Sequence, residues 1–405
     1  MAHPFPIKRT CPVAPPDEYA ALRAEAPLVR AQSPGGPLWL VTRHAEARQV
    51  LIDPTVSTSP ATPGHPQNLM RTAPPPGEEG ESEGIGGAEA GFFIDMDPPE
   101  HTRFRRLLIP EFTVRKIKTM RPGIQRIVDA LIDDMLAAGD RADLVEAFGL
   151  PVPSLVICQL LGVPYEEREF FQSRTRTMVR DIEDPERGAA VNRAMQEIAE
   201  FLSGLVTAAE KSPGDDLLGV LVSSGELSHQ EIVGAIFLLL VAGHETTANM
   251  IPLSVLTLLR HPDQLQELKA DPELWPAAVE ELLRYHSIVD WIAFDRVATR
   301  DLVVGGQEVK AGEAIFVLGA SANRDERAFE RPDEFDIHRD SRHHVAFGHG
   351  VHQCLGQNLA RAELEIALRT LFTRIPDLRV EAADEELSFK YDAAVFGLYE
   401  LPVAW

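Results

Sequence analysis

Cys354 lies in the segment Phe347-Gly-His-Gly-Val-His-Gln-Cys354-Leu-Gly356. Three glycines there, Gly348, Gly350 and Gly356, let backbone come close to a flat ligand and take turn conformations that a Cβ forbids. The residues after it have helical spacing, so the thiol precedes a helix start, where the dipole and free N–H groups favour thiolate over thiol. A thiolate so held is a good soft ligand for iron. Taken alone, a cysteine in a Gly-rich turn is more often a buried packing residue. A zinc site from His343, His344, His349, His352 and Cys354 is a further reading, although no second cysteine lies nearby to close it.

Other residues have spacings that could serve such a centre. Ala242 and Thr246 are four apart and share a helix face, with Leu238 and Leu239 one turn earlier. Small Ala242-Gly243 would let a flat cofactor press on the helix. Thr246 and Thr247 can return a hydroxyl bond to a carbonyl one turn back, which bends helices. Glu245-Thr246 thus offers an acid beside a hydroxyl. His101 and Arg105 share another helix face, and Glu281 and Arg284 a third.

These residues need elements to hold them. Residues to about Pro37 are rich in Pro and Ala, Leu38–Thr42 is β-rich, and His44–Leu51 reads as a short helix. The stretch from Ser59 to Gly91 is dense in Pro, Gly and Glu and is expected to be a flexible lid. Helices are expected over Glu100–Ile109, Ile117–Ala138, Glu166–Val179 and Gly188–Glu210. Ser228 and Glu231 have capping-box spacing and open a long helix from Gln230 to about Arg260. Another helix contains Ala277–Tyr285, strands follow at 301–309 and 314–318, and Gln357–Phe372 is a last long helix. The expected architecture is mainly α with a smaller β-rich portion, in one domain over residues 1–405.

Phe347-x-x-Gly350-x-His352-x-Cys354-x-Gly356, with Ala360 following, resembles the haem-ligand signature of the cytochrome P-450 superfamily, in which a cysteine thiolate holds haem iron. Glu281-Leu-Leu-Arg284 matches the family's Glu-x-x-Arg element, Ala242-Gly243-His-Glu245-Thr246-Thr247 its oxygen-activation segment, and Arg339 lies where the family joins an arginine to the pair. All four stand in the family's order from about Pro37 onward. The resemblance implies the P-450 fold, haem b between the long helix and the Cys354 loop, and Cys354 as axial ligand. It implies proton delivery by Glu245 and Thr246, and cofactor contacts at His101, Arg105, Ala242, Gly243, Arg296, Phe347, Gly348, His352, Gly356 and Ala360. Glu281, Arg284 and Arg339 become a buried support network.

By the same resemblance the substrate pocket draws on Phe92, Phe93, Ile94, Leu238, Leu239, Val289, Ile292 and Phe396. Apolar walls suit a bulky lipophilic substrate, of the macrolide or polyketide, terpenoid or steroid-like kind that similar actinobacterial enzymes oxidise. The implied reaction is oxygen insertion from O2, by hydroxylation or epoxidation. No flavin- or nicotinamide-binding segment is visible, so electrons would come from a ferredoxin (or flavodoxin) with its reductase, docking near the basic residues Arg103 and Arg106. A peroxide-driven haem enzyme and a non-catalytic haem sensor remain open alternatives.

Charge and composition agree with this class. The chain has 405 residues, 39 Lys+Arg against 62 Asp+Glu, and a formal charge of −23, which disfavours nucleic acid and anionic membranes. Three scattered cysteines form no disulfide framework, and no signal peptide is visible at the start, so a cytoplasmic monomer is expected.

Overall fold

The computed structural model describes residues 3–11, 14–66, 88–163, 167–179, 187–289, 294–391, 393 and 395–405. Most of the expected lid (67–87) and the pocket candidate Ile292 lie outside them.

The helix His229–Arg260 organises the larger core. Ser228 Oγ accepts from the Glu231 amide at 3.3 Å, and the Glu231 carboxylate accepts from the Ser228 amide at 2.8 Å, so two otherwise orphaned donors are satisfied at its start. Nearly every residue from Ile232 to Leu258 is buried, because other helices cover the rod on most sides. It is long and apolar enough to cross a membrane, yet most of its apolar window is buried inside the protein, as in a core helix. The helices Val114–Ala138, Pro151–Leu161, Arg187–Lys211 and Gln357–Arg374 pack around it or against one another.

Pro151–Leu161 is a helix that the sequence pattern concealed. Nine of its eleven residues are buried, so there is no polar face and no 3.6-residue alternation to read. Glu18–Glu25, Leu217–Ser224 and Pro262–Ala270 were also not expected. Where helices were expected, observed bounds are Glu100–Leu108, Val114–Ala138, Arg168–Val179, Arg187–Lys211, Trp275–His286 and Gln357–Arg374.

A second, smaller core belongs to the sheet. Its six strands run in the order His3–Pro4, Leu28–Ser33, Gly36–Val41, Ala314–Val317, Asp295–Ala298, Val56–Ser57. Gly36–Val41 pairs in parallel with Ala314–Val317, placing Trp39 opposite Ile315. That pairing brings chain segments over 270 residues apart together, and it fixes Asp295–Ala298, which carries Arg296, as the next strand. Leu302–Val304 and Gln307–Val309 form a separate hairpin whose turn residues Gly305 and Gly306 both have positive φ.

At Gly91 the chain meets the long helix without any side chain between them. A Cβ there would lie 2.3 Å from the Glu231 carbonyl and 2.4 Å from the Ala235 nitrogen. The short turn Ala88–Gly91 is thereby seated on the first turns of the helix, which ends the expected lid at a fixed point.

The capping box is the local device that starts the organising helix. Ser228→Ala is therefore expected to lower stability by about 1 kcal/mol, read as a shifted urea midpoint with unchanged slope; an unchanged midpoint would show the cap to be dispensable.

Candidate functional site

Cys354 is built from its loop upward. Its amide donates to the Phe347 carbonyl at 2.8 Å, closing the segment into a tight turn. Gly348 and Gly350 have φ of 68° and 78°. At Gly350 a Cβ would sit 2.5 Å from the Leu51 carbonyl, so glycine lets the loop lie directly on the helix His44–Ile52. Gly356 precedes the helix Gln357–Arg374, and Ala360 lies in its first turn with its amide donating to the Gly356 carbonyl at 2.9 Å.

The Cys354 side chain is open to space yet deeply enclosed by protein, so it faces an interior cleft and not bulk water. Burial pushes its thiol pKa up. Against that act hydrogen bonding from the Gly356 and Gln357 amides and the positive charges of Arg105 and Arg361. A helix start and two guanidinium groups are what a resident thiolate needs.

Cationic and aromatic groups gather beside it. His101 and His352 have ring centroids 4.1 Å apart. Burial, with the charge of Arg105 nearby, holds His101 down at about 4. Burial, with His101, Arg296 and Arg105 nearby, holds His352 at about 3. Both rings are therefore neutral at physiological pH and are available as hydrogen-bond donors. Burial also lowers the Arg105 pKa, with Cys354 opposing, and Arg105 has no carboxylate partner among the described residues. Arg296, on its buried strand, donates to the Asp295 carbonyl at 2.7 Å and to Thr58 Oγ1 at 3.3 Å.

Two buried acids hold this loop in place. Glu281 is fully buried and accepts from Arg284 Nε at 2.8 Å and Nη2 at 2.7 Å, from Arg339 Nε at 3.2 Å, from the Asp336 amide at 3.1 Å and from Ser341 Oγ. Arg284 spends its other donors on the carbonyls of Asn323, Pro332 and Glu334. Asn323 Oδ1 in turn accepts from the Val345 amide at 2.8 Å, which anchors the entry to the cysteine loop.

The sequence reading missed the second acid, Glu280. It pairs with Arg361 Nε at 2.5 Å and accepts from His344 Nε2 at 3.2 Å, while Arg361 lies 4.6 Å above the Phe347 ring. Glu280 sits one residue before Glu281, so a signal existed. Its partners come from two other elements and have no sequence spacing in common.

Across the cleft, the long helix has an interrupted surface. Leu238, Val241, Ala242, Gly243, Glu245 and Thr246 are open or half-open in a rod otherwise buried. Leu238, Ala242 and Glu245–Thr246 recur at helical spacing, so they line one stripe. Thr246 Oγ1 donates to the Ala242 carbonyl at 2.9 Å, and Asn249 Nδ2 donates to the Glu245 carbonyl at 2.8 Å. Pro252 lacks an N–H, so the Ala248 carbonyl has no normal helical donor. A Cβ on Gly243 would lie 3.1 Å from Ile157 Cδ1, so its smallness also serves helix packing.

The expected pocket residues separate into two groups. Phe92 is half-buried and stacked 5.8 Å from Phe237, Ile94 is half-buried, and Val289 bridges to Val395. By contrast Phe93 is buried and stacks on Phe104, and Leu239 is buried in the turn before Ala242. Both side chains are packed more deeply than those of Phe92, Ile94 and Leu238. Phe396 is buried against Phe389 and under Arg9. The basic pair is engaged in ion pairs. Arg103 is ion-paired to Glu231 and Arg106 to Glu226, so they brace the start of the long helix and offer a largely neutralised face.

With this geometry in place, the likeness to known proteins is direct. Residues 86–375 match the cytochrome P450 family model. The chain is 46% identical to the 20-oxo-5-O-mycaminosyltylactone 23-monooxygenase of Streptomyces fradiae, over 99% of this chain and 92% of that protein. It is 46% identical to pentalenic acid synthase of Streptomyces avermitilis, over 99% and 97%. The crystal structure of mycinamicin VIII C21 methyl hydroxylase from Micromonospora griseorubida, bound to mycinamicin VIII, superposes with a TM-score of 0.88 at 44% identity, covering 100% of both chains. The chain belongs to the cytochrome P450 family. It has the P450 fold, haem is its cofactor, and it is a monooxygenase.

The residues present fit that cofactor. An enclosed thiol, a helix start aimed at it, a cation without a carboxylate and two neutral histidines suit a flat group bearing one metal and two carboxylates.

Glu280 sets a pH dependence. Burial alone would raise its carboxyl pKa, but the bonds from His344 and Arg361 prevail and hold it at about 2, below its ordinary 4.5. A depressed folded-state pKa stabilises the fold above the ordinary value and is lost as pH falls through the folded value. The difference in urea midpoint between the native protein and Glu280→Gln should therefore be full at neutral pH and close between about 4.5 and about 2. A difference that does not vary with pH would refute the assignment.

Proposed function

We propose that Cys354 is the axial thiolate of a monooxygenase that inserts one oxygen atom from O2 into a bulky lipophilic molecule. Macrolides or other polyketides, terpenoids and steroid-like compounds are the substrate classes, by hydroxylation or epoxidation. The relatives named for macrolide and terpenoid oxidation support those classes. The half-open apolar residues Phe92, Ile94, Leu238 and Val289 support them from the chain itself. The observation that carries the reading is the Cys354 thiol, enclosed by protein, next to Arg105 and at the start of a helix.

The haem, when bound, supplies the binding and reductive cleavage of dioxygen. The chain's own residues do the rest. Arg105, Arg296, His101 and His352 would hold the cofactor's carboxylates, with Arg105 as the cation having no carboxylate of its own. The open stripe at Ala242 leaves room for the flat face. Glu245 takes a proton from solvent and passes it to Thr246 Oγ1 as that hydroxyl releases its own hydrogen, which now rests on the Ala242 carbonyl, into the cleft. Because that carbonyl is a backbone acceptor one turn back, the hydroxyl can swing away from it and leave only a local bend behind.

Electrons come from a ferredoxin or flavodoxin with its reductase. A donor docking at Arg103 and Arg106 would have to compete with Glu231 and Glu226. Arg115 and Lys118 on the next helix are exposed and carry no ion pair among the described residues, and they are the cations open to an acidic donor. The enzyme is proposed to work as a cytoplasmic monomer.

Reduced protein with carbon monoxide should give the red-shifted Soret band of thiolate ligation, and Cys354→His should abolish it; a band that survives sinks the ligand assignment. Thr246→Ala should keep consuming oxygen while releasing more peroxide and less product. Unchanged product per electron would refute the proton-delivery role.

A further inference from the structure

Lys390 is a lysine only 8% exposed, in the terminal segment that also carries Phe396. Burying an ammonium is costly unless its donors are satisfied. Its Nζ donates to Asn249 Oδ1 at 2.9 Å, and Asn249 Nδ2 donates to the Glu245 carbonyl at 2.8 Å. Asn249 is itself 3% exposed, so one buried amide joins a lysine on the terminal hairpin to the backbone of the acid on the long helix.

The chemistry fixes the direction of this link. An ammonium only donates, so the amide must present its oxygen to Lys390, and its nitrogen is then turned to the Glu245 carbonyl. The hairpin is seated directly on the amide. The Lys390 amide donates to the Gly397 carbonyl at 2.9 Å, and a Cβ on Gly397 would lie 1.8 Å from Asn249 Oδ1. The same hairpin is held to residues 288–289 by Phe396 N–H donating to the Ile288 carbonyl at 2.9 Å and by the Val289–Val395 bridge.

We propose that Lys390 and Asn249 are positioning residues that tie the terminal hairpin to the Glu245–Thr246 turn, so that the hairpin's seating sets the backbone geometry used for proton delivery. A side-chain donor on a helical carbonyl competes with the helix's own N–H and bends the turn. Here the carbonyl so loaded lies between the acid and the hydroxyl. The proposal rests on the monooxygenase reading above.

Two near-isosteric variants in the holoenzyme test it. Asn249→Asp keeps an acceptor for Lys390, and so the hairpin's anchor, but loses the donor to Glu245. Lys390→Met removes the group that orients the amide. Each is expected to lower product formed per electron consumed by roughly 3- to 10-fold, the span of one hydrogen bond. Amide hydrogen exchange over residues 243–250 should quicken in both, while the carbon monoxide band stays in place. Native coupling and native exchange in Asn249→Asp would overturn the relay. Absence of the thiolate band or of product in the unmutated enzyme would instead overturn the monooxygenase reading.

Discussion

The proposed ligation by Cys354 requires a thiolate kept inside the protein without being neutralised, and much of the structure bears on that demand. Burial pushes the Cys354 thiol towards its protonated form. The opposing groups are a helix start, whose amides have no partners within the helix, and the guanidinium groups of Arg105 and Arg361. Their effect depends on how firmly the loop is held beside them. Glu281 and Glu280 supply that rigidity, each a buried carboxylate saturated by donors from separate segments. Removing one partner from such a cluster costs several kcal/mol, because the charge left behind stays buried.

The long helix works in the opposite manner. It is buried almost throughout and then left open along one short stripe, where its own hydrogen bonding is disturbed three times in succession. Thr246 and Asn249 load the carbonyls of Ala242 and Glu245, and Pro252 leaves that of Ala248 without its helical donor. A rigid rod supplies position, and the open stripe is where the proposed proton delivery would run. The distortion is tolerated because the capping box and the surrounding helices secure the rod at both ends.

Charge is arranged locally against an average of −23. Arginines that look alike in sequence have different fates. Arg103 and Arg106 close ion pairs at the start of the long helix, while Arg105, between them, turns to the other helix face and the Cys354 cleft. One residue of offset on a helix rotates a side chain by about 100°, which is enough to separate the ion-paired face from the one turned to Cys354.

The sequence by itself determined the parts whose chemistry is local: the cysteine among glycines before a helix, the acid–hydroxyl pair, the Glu-x-x-Arg turn, the capping box and the helices with a polar face. These are set by spacing along one element, and spacing is what a sequence displays. Only the tertiary structure decided which partners meet. The parallel pairing of Gly36–Val41 with Ala314–Val317, the Glu280–Arg361–His344 cluster and the Lys390–Asn249 link join segments far apart in the chain, and no local pattern encodes them. The wholly buried helix Pro151–Leu161 and the inward turn of Phe93 were hidden for the same reason. Burial on all sides erases the periodicity that sequence reading depends on, and long-range packing chooses among faces that the sequence leaves equivalent.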